Sequence, residues 1–237
     1  MKSFMSWSGG KDSALALYYA TKQNIRVQAL LTSVNQAHER ISMHGVRRTL
    51  LEEQVKSLQL PLHTLELSEQ PNMNEYEEAV NTCYASLKKE GFNQAIFGDI
   101  FLEDLKIYRE AQLARHQIQS VFPIWKRDTN ELIHEFISLG FKAVIVCVNT
   151  KFLDRNFCGR LIDEEFVNDL PADVDPCGEN GEYHSFVFDG PLLKSPVQFM
   201  KGETVYKEYR APVDESEDCF STAQPATGFY FIDLLPV

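Results

Sequence analysis

The chain has 237 residues, 44% of them hydrophobic, and a formal net charge of −11 at pH 7. This length and apolar content suit one large or two modest globular domains with a substantial core. The acidic balance argues against a protein that coats nucleic acid, which needs clustered Lys and Arg, so we do not expect nucleic acid as a partner.

The cysteines and the first residues predict the compartment. The five cysteines are scattered without a Cys-x-x-Cys pair, which predicts reduced thiols and no zinc or iron–sulfur site: Cys83, Cys147, Cys158, Cys177 and Cys219. The chain opens on a strand-like segment with no charged leader, and no stretch reaches the ~20 apolar residues that span a bilayer. We therefore expect a cytoplasmic protein with no membrane partner.

Strand-like and helix-like periods alternate through the first half, which is typical of a parallel sheet with crossover helices. The predicted strands lie at residues 4–7, 27–32, 62–67, 95–97 and 121–122. The predicted helices cover 11–23, 46–58, 76–87 and one further segment before residue 121. Five strands with intervening helices predict an α/β fold with a doubly wound parallel sheet.

Beyond residue 124 the pattern loosens. It predicts a helix over 132–139, a strong strand over 143–148 and short elements with prolines and glycines. We expect a smaller α+β domain over 126–237 after a first domain over 1–125, although 141–148 could instead extend the first sheet. The acidic segment 214–218 and the apolar segment 228–235 fit a partner strand, a closing edge or a dimer contact, so homo-oligomer formation stays open.

The loop Ser8–Ser13, with the sequence SGGKDS, follows the first predicted strand and precedes a helix. Two adjacent glycines let backbone N–H groups converge on an anion at the helix N-terminus, and Lys11 adds a charge. The loop that grips β- and γ-phosphates in kinases and GTPases needs a glycine and a hydroxyl residue where Met5 and Asp12 stand. The alternative is a polar turn in which Asp12 or Ser13 caps the helix.

Other polar residues follow the predicted strands, where ligands of such sheets bind. Thr32 and Ser33 end the second strand, and Gly98 and Asp99 follow the fourth. Asp99 could serve a ribose, a metal ion or an incoming amine, or it could cap the next helix. His44 lies in the connection after the second strand, and a lone histidine in such a segment does not by itself indicate a functional role.

The segment 175–186, with the sequence DPCGENGEYHSF, crowds acidic and aromatic residues between glycines. Glu179, Glu182 and His184 could face one cleft as proton acceptors or substrate anchors. The alternative is a solvated hairpin that enters a strand at 185–188.

In order, SGGKDS, MHGVR (43–47), FGDI (97–100), YRE (108–110), GENGEYHSF (178–186) and FDGPL (188–192) resemble the diphthine–ammonia ligase family of PP-loop ATP pyrophosphatases. The resemblance covers roughly residues 4 to 200. It implies a HUP-type, adenine nucleotide α-hydrolase-like domain, a smaller C-terminal domain and ATP in the cleft between them. ATP would activate a carboxylate, borne by a small molecule or a protein, and ammonia would then displace AMP to give an amide.

The resemblance and the polar strand ends together predict the site residues. Expected to bind ATP are Ser8, Gly9, Gly10, Lys11, Asp12, Ser13, Thr32, Ser33, His44, Gly98 and Asp99. Expected to take part in catalysis are Lys11, Asp12, Glu179, Glu182 and His184, with Asp12 also on Mg²⁺. Expected on the acceptor side are Arg109, Glu110, Asn180, Gly181 and Tyr183.

Two adjacent positions depart from the family pattern. The ligases continue Gly-Glu-Tyr-Glu-Thr, whereas His184 and Ser185 stand here, as in a related bacterial-type branch whose members need not act on diphthine. Two alternative functions are a tRNA-modifying PP-loop enzyme and a non-catalytic nucleotide sensor. The acidic charge and the lack of a cysteine pair weigh against the tRNA enzyme.

Overall fold

The computed structural model describes residues 1–69, 71–209 and 227–237. Its first half contains β1 (Ser3–Ser6), α1 (Lys11–Lys22), β2 (Val27–Asn35), β3 (Arg40–Ile41), α2 (Arg48–Leu58), β4 (Leu62–Leu67), α3 (Met73–Lys89), β5 (Gln94–Ile96), α4 (Glu103–Ala114) and β6 (Gln119–Val121). Its second half contains α5 (Thr129–Ser138), β7 (Lys142–Asn149), a 3₁₀ turn (Arg155–Phe157), α6 (Glu164–Asp169), β8 (Tyr183–Asp189), β9 (Phe199–Tyr209) and β10 (Thr227–Pro236).

The first half forms the predicted doubly wound sheet. Over the described residues, five parallel strands run in the order β4-β2-β1-β5-β6, and the short β3 pairs antiparallel with the end of β2. Since β4 occupies one side of β2 at Val34 and Asn35, β3 lies on the other side, just beyond the carboxyl end of β1. The sequence did not predict β3, yet this two-residue strand places the following loop above the end of β1.

Strand β1 is buried on both faces, as central parallel strands are. Its side chains alternate: Phe4 packs with Val80 and Phe92 on one face, while Met5 packs with α1 and the second half on the other. The first face is covered by α3, whose N-terminus carries a capping box.

The second half forms an antiparallel sheet with the order β8-β7-β10-β9 in the described part of the chain. The strand expected at 143–148 is β7, and it belongs to this sheet and not to the first. The apolar C-terminal segment is β10, which pairs with both β7 and β9 and is therefore an inner strand. The acidic segment 214–218 and Cys219 lie outside the described residues.

One hydrophobic core joins the two halves. Leu15 and Leu50 of the first half share it with Val144, Phe186 and Leu234 of the second. The division between residues 125 and 126 stays a prediction, since this core is continuous across it. Among the described residues, no helix combines the length and apolar character that a bilayer crossing requires.

Candidate ATP site at the carboxyl end of the parallel sheet

The loop between β1 and α1 has the conformation that its glycines allow. Gly9 has φ +79°, in the left-handed region that favours glycine. Gly10 is the N-cap of α1 and has no side chain to cap the helix. The carboxylate of Asp12 accepts from Lys11 Nζ, and the hydroxyl of Ser13 donates to a carbonyl, so neither residue acts as the cap that the alternative required. Ser8 Oγ instead accepts from Gly10 N–H at 3.2 Å, and Ser13 Oγ donates to the Gly10 carbonyl at 2.8 Å. The N-terminus of a helix, which is the positive end of its dipole, favours anions.

Lys11 and Asp12 form a close ion pair at the first turn of α1. Lys11 Nζ lies 2.9 Å from Asp12 Oδ2 and 4.9 Å from the centre of the Tyr183 ring. Burial opposes the charge on Lys11, but the adjacent Asp12 carboxylate raises the pKa of the ammonium above its ordinary value. Lys11 is therefore a fixed positive charge at the loop.

Strand β8 holds this loop from the second half of the chain. Val187 N–H donates to the Gly9 carbonyl at 2.9 Å, and Lys11 N–H donates to Ser185 Oγ at 3.2 Å. The two sheets therefore meet at the predicted phosphate loop. Ser185 was not among the predicted site residues, because only the fold brings it to a loop 174 positions away.

A buried glutamine on α2 connects the same elements. Gln54 Nε2 donates to the carbonyls of Gly9 (3.0 Å) and Val187 (2.6 Å), and Gln54 Oε1 accepts from Trp7 Nε1 at 2.8 Å. Gln54 was not among the predicted site residues. The available signal was a polar residue among the apolar positions of a helix, close to Leu50, Leu51 and Val55.

Two histidines lie together beside the loop. The rings of His44 and His184 are 4.7 Å apart, and His44 Nδ1 donates to the Ser185 carbonyl at 3.0 Å, since a carbonyl can only accept. A Cβ added to Gly10 would lie 2.9 Å from His44 Cε1, so the imidazole rests on the loop. Burial lowers the pKa of His44 to about 4, and burial followed by the neighbouring His44 lowers the pKa of His184. Both imidazoles are thus neutral at pH 7.

The ends of β2 and β5 complete the floor of the site. Thr32 is buried and donates to the Trp7 carbonyl at 2.7 Å, while the Ser33 carbonyl accepts from Ser42 N–H at 3.0 Å. A Cβ on Gly98 would lie 2.8 Å from the backbone of Asp12, so glycine is needed there for the approach of two chain segments.

Asp99 is paired and does not act as a helix cap. The N-cap of α4 is Leu102, without a described side-chain cap. Arg109 Nη2 instead donates to Asp99 Oδ1 at 3.2 Å, and Arg109 Nε lies 2.9 Å from Asp99 Oδ2. Glu110 points elsewhere, toward Lys106 at 3.3 Å and Ser120 at 3.4 Å.

The acidic turn 175–182 presents one of its two glutamates to the site. Glu179 Oε1 accepts from Ile100 N–H at 2.7 Å, which joins the turn to the end of β5. Burial, and then the nearby Asp12 carboxylate, raise the pKa of Glu179 to about 7. A carboxyl group that titrates near neutrality is suited to general acid–base work.

Glu182 lies inside the turn. It is only 1% exposed, and its Oε1 accepts from Asp175 N–H at 3.1 Å and from Asn180 Nδ2 at 3.0 Å. Gly181 has φ +83°, and the Tyr183 hydroxyl donates to the Pro176 carbonyl. Asp175 Oδ1, which the sequence analysis did not single out, accepts from the N–H groups of Cys177 and Glu179. These contacts hold Glu179 in place.

One atom of the site suits a hard cation. Asp12 Oδ1 is buried and has no hydrogen-bond partner among the described residues, and carboxylate oxygen is a preferred Mg²⁺ ligand. Within the described ranges, however, no three His, Cys, Asp or Glu side chains are grouped to hold a metal ion. Asp12 therefore fits a metal that arrives with phosphate oxygens as its other ligands.

Two family models match most of the chain. Residues 1–116 match the diphthamide synthase N-terminal domain, and residues 128–215 match the diphthamide synthase C-terminal domain. The chain belongs to the diphthamide synthase family. The predicted resemblance to the diphthine–ammonia ligases is thereby confirmed, while the bacterial-type branch stays a prediction.

Curated relatives of this family member are named diphthine–ammonia ligase. The relative from Danio rerio is 33% identical over 113 residues, which cover 46% of this chain and 44% of the relative. Those from Homo sapiens and Bos taurus are 30% and 29% identical over 137 residues, which cover 54% of this chain and 51% of each relative. The chain thus spans about half the length of the curated relatives it matches.

Among solved structures, the chain is similar to a predicted subunit of tRNA methyltransferase from Methanocaldococcus jannaschii. The two share 20% sequence identity with a TM-score of 0.43, over 62% of this chain and 80% of that structure.

Proposed function

We propose that this diphthamide synthase family member is an ATP-dependent amide ligase that releases AMP and pyrophosphate. The observation that carries the proposal is the N-terminus of α1 behind Gly9 and Gly10, with the buried Lys11 beside it. A leaving pyrophosphate is the anion that suits this charge and these amides. The diphthine–ammonia ligase relatives support a carboxylate acceptor and ammonia as the nitrogen donor.

The first step is adenylylation of the acceptor. The carboxylate oxygen attacks the α-phosphorus, the bond between that phosphorus and the bridging oxygen breaks, and pyrophosphate leaves. Charge grows on the bridging oxygen as the bond breaks, so Lys11 and the first-turn amides of α1 stabilise this state more than the ground state. Bound Mg²⁺, held by Asp12, would supply further positive charge to the phosphates.

The second step forms the amide. Ammonia attacks the acyl carbon, the bond from carbon to the AMP oxygen breaks, and the nitrogen gives up one proton. Glu179 is the group in the site whose pKa, at about 7, fits it to accept that proton. The neutral ring of His184 would line the acceptor side with the exposed Asn180, while the neighbouring His44 would contact the phosphate loop at Gly10. Asp99, held by Arg109, is the further carboxylate available for the ribose.

An isotope experiment tests this function. The chain is incubated with ATP, Mg²⁺, ammonium and a panel of carboxylates, including diphthine-bearing elongation factor 2, each labelled with oxygen-18 in the carboxylate. An acyl-adenylate intermediate transfers one labelled oxygen to AMP, which mass spectrometry detects. An accepted substrate whose carboxylate label never enters AMP would exclude carboxylate activation. The Asp12→Ala variant, expected to be inactive, controls for a contaminating ligase.

A further inference from the structure

Strand β10 lies beyond residue 215, where the family match ends. It nevertheless binds the chain segment that carries His44. Its residue Asp233 accepts two hydrogen bonds from Arg47, from Nε to Oδ1 at 3.0 Å and from Nη2 to Oδ2 at 2.6 Å. Arg40 Nη1 donates to the same Oδ1 at 2.9 Å. Two-point contact between guanidinium and carboxylate is strong and directional.

The partners of Asp233 flank the histidine on both sides in sequence. Arg40 belongs to β3, Arg47 precedes α2, and Arg40 Nη1 also donates to the Gly45 carbonyl at 2.7 Å. A ring carbon of Phe231, also on β10, lies 2.9 Å from where a Gly45 Cβ would be. The segment between Arg40 and Arg47, the His44 hairpin, is therefore held against β10 by charge and by packing.

The hairpin has internal backbone hydrogen bonds, from Ile41 N–H to the Val46 carbonyl at 2.8 Å and from Gly45 N–H to the Ile41 carbonyl at 2.9 Å, but its pairing with the first sheet is short. Strand β3 makes only two residue pairs with β2 in the described structure, and pairings this short are marginal by themselves. The imidazole of His44 nevertheless contacts the phosphate loop at Gly10 and bonds the Ser185 carbonyl. Its position therefore depends on contacts outside the hairpin.

We propose that Asp233 is a positioning residue, which binds Arg40 and Arg47 and thereby holds the His44 imidazole against the phosphate loop before ATP binds. The expected effect of Asp233 on ATP affinity rests on the proposed function, whereas its expected effect on the position of His44 does not. The hydrogen bonds that the described structure gives the Asp233 side chain come from these two arginines, and it acts through them.

The histidine tautomer is a direct readout. In the wild-type chain, His44 should be protonated on Nδ1, because that atom donates to a carbonyl. Long-range proton–nitrogen correlation NMR on nitrogen-15 histidine distinguishes the two tautomers, and a His44→Asn sample assigns the signal among the six histidines. In Asp233→Asn we expect a second population protonated on Nε2. We also expect affinity for α,β-methylene ATP, measured by calorimetry, to fall about tenfold, or about 1.4 kcal/mol.

Three further variants separate positioning from general destabilisation. Asp169→Asn removes a surface ion pair with Arg160 (2.8 Å) and should change neither readout. Asp233→Glu keeps the carboxylate and should restore the Nδ1 tautomer in part. Should Asp233→Asn fail to fold, Arg47→Lys provides the test, because lysine cannot make the two-point contact.

The proposal is overturned if folded Asp233→Asn, or Arg47→Lys in its place, keeps a single Nδ1 tautomer and wild-type nucleotide affinity. A wild-type chain that binds no nucleotide would instead contradict the proposed function. In that case the tautomer still decides the role of Asp233.

Discussion

Lys11 Nζ lies 2.9 Å from Asp12 Oδ2 at the start of α1, and only 3% of the Lys11 side chain is exposed. Each charge therefore neutralises the other until phosphates arrive. A triphosphate bound at this turn would compete with Asp12 for the ammonium, which would free the carboxylate for a cation. This pair is the basis of the first prediction.

Replacing Lys11 by Met should lower ATP turnover by about 10² to 10³, the usual cost of losing one donor that stabilises transition-state charge. The free energy of unfolding should fall by no more than about 2 kcal/mol, because Asp12 is 29% exposed and water can solvate it. Steady-state kinetics and urea denaturation measure the two effects. Lys22→Met, at the exposed end of the same helix, is the matched control and should keep full activity.

Glu179 should control the pH dependence. Its pKa of about 7 predicts that amide formation, at constant free ammonia, rises with pH through this value and that Glu179→Gln lowers and flattens the profile. An acid whose pKa is higher in the folded than in the unfolded state costs stability as pH rises between the two values. Glu179→Gln should therefore have a higher Tm than wild type above pH 7, and this difference should vanish below about pH 4.5. A difference in Tm between Glu179→Gln and the wild type that grows toward low pH would contradict the raised pKa of Glu179.

Gln54 should be a structural connection between the phosphate loop and β8. Gln54→Ala leaves the Trp7 indole N–H without its partner and removes one donor from the carbonyls of Gly9 and Val187, so we expect a loss of about 2–4 kcal/mol in the free energy of unfolding. Amide hydrogen exchange should increase at Val187, whose N–H donates to the Gly9 carbonyl, and at Lys11, whose N–H donates to Ser185 Oγ. Gln36→Ala, at an exposed position after β2, serves as the control. Unchanged exchange at the loop would mean that the backbone bonds alone hold β8 in place.

Gly98 should be required for ATP affinity through its contact with α1. Gly98→Ala would place a methyl group 2.8 Å from the Asp12 carbonyl and 2.9 Å from Ser13 N, so the first turn must move. We expect a loss of about 1–3 kcal/mol in stability together with weaker nucleotide binding in calorimetry. Gly140→Ala also strains the backbone, at φ +82°, but meets no atom within 4 Å. It should lose stability while keeping nucleotide affinity.

The parallel sheet could be predicted from the sequence because its strands and helices have distinct hydrophobic periods. The loop Ser8–Ser13 could be predicted because its glycines and lysine are adjacent in the chain. Strand β3 could not, since two residues carry no period. The alternative placement of 141–148 in the first sheet was wrong because β7 pairs antiparallel with β8 and β10.

The hydrogen bonds that hold the segments of the site together could not be predicted, because they join distant parts of the chain. Gln54 bonds a carbonyl 133 positions away, and Arg47 binds Asp233 across 186 positions. A single sequence gives no sign of such pairs. The local sequence of Asp99 fitted a helix cap as well as a site residue. The ion pair between Asp99 and Arg109 of α4, which only the fold reveals, decides against the cap.

Product analysis by phosphorus-31 NMR tests the central claim most directly. The chain is incubated with ATP, Mg²⁺, ammonium and an accepted carboxylate, with Lys11→Met as the parallel sample. If the loop at Gly9 and Gly10 binds the β- and γ-phosphates as a leaving group, AMP and pyrophosphate appear in equal amounts with the wild-type chain, and about 10² to 10³ times more slowly with Lys11→Met. Release of ADP and inorganic phosphate by the wild-type chain would contradict the account.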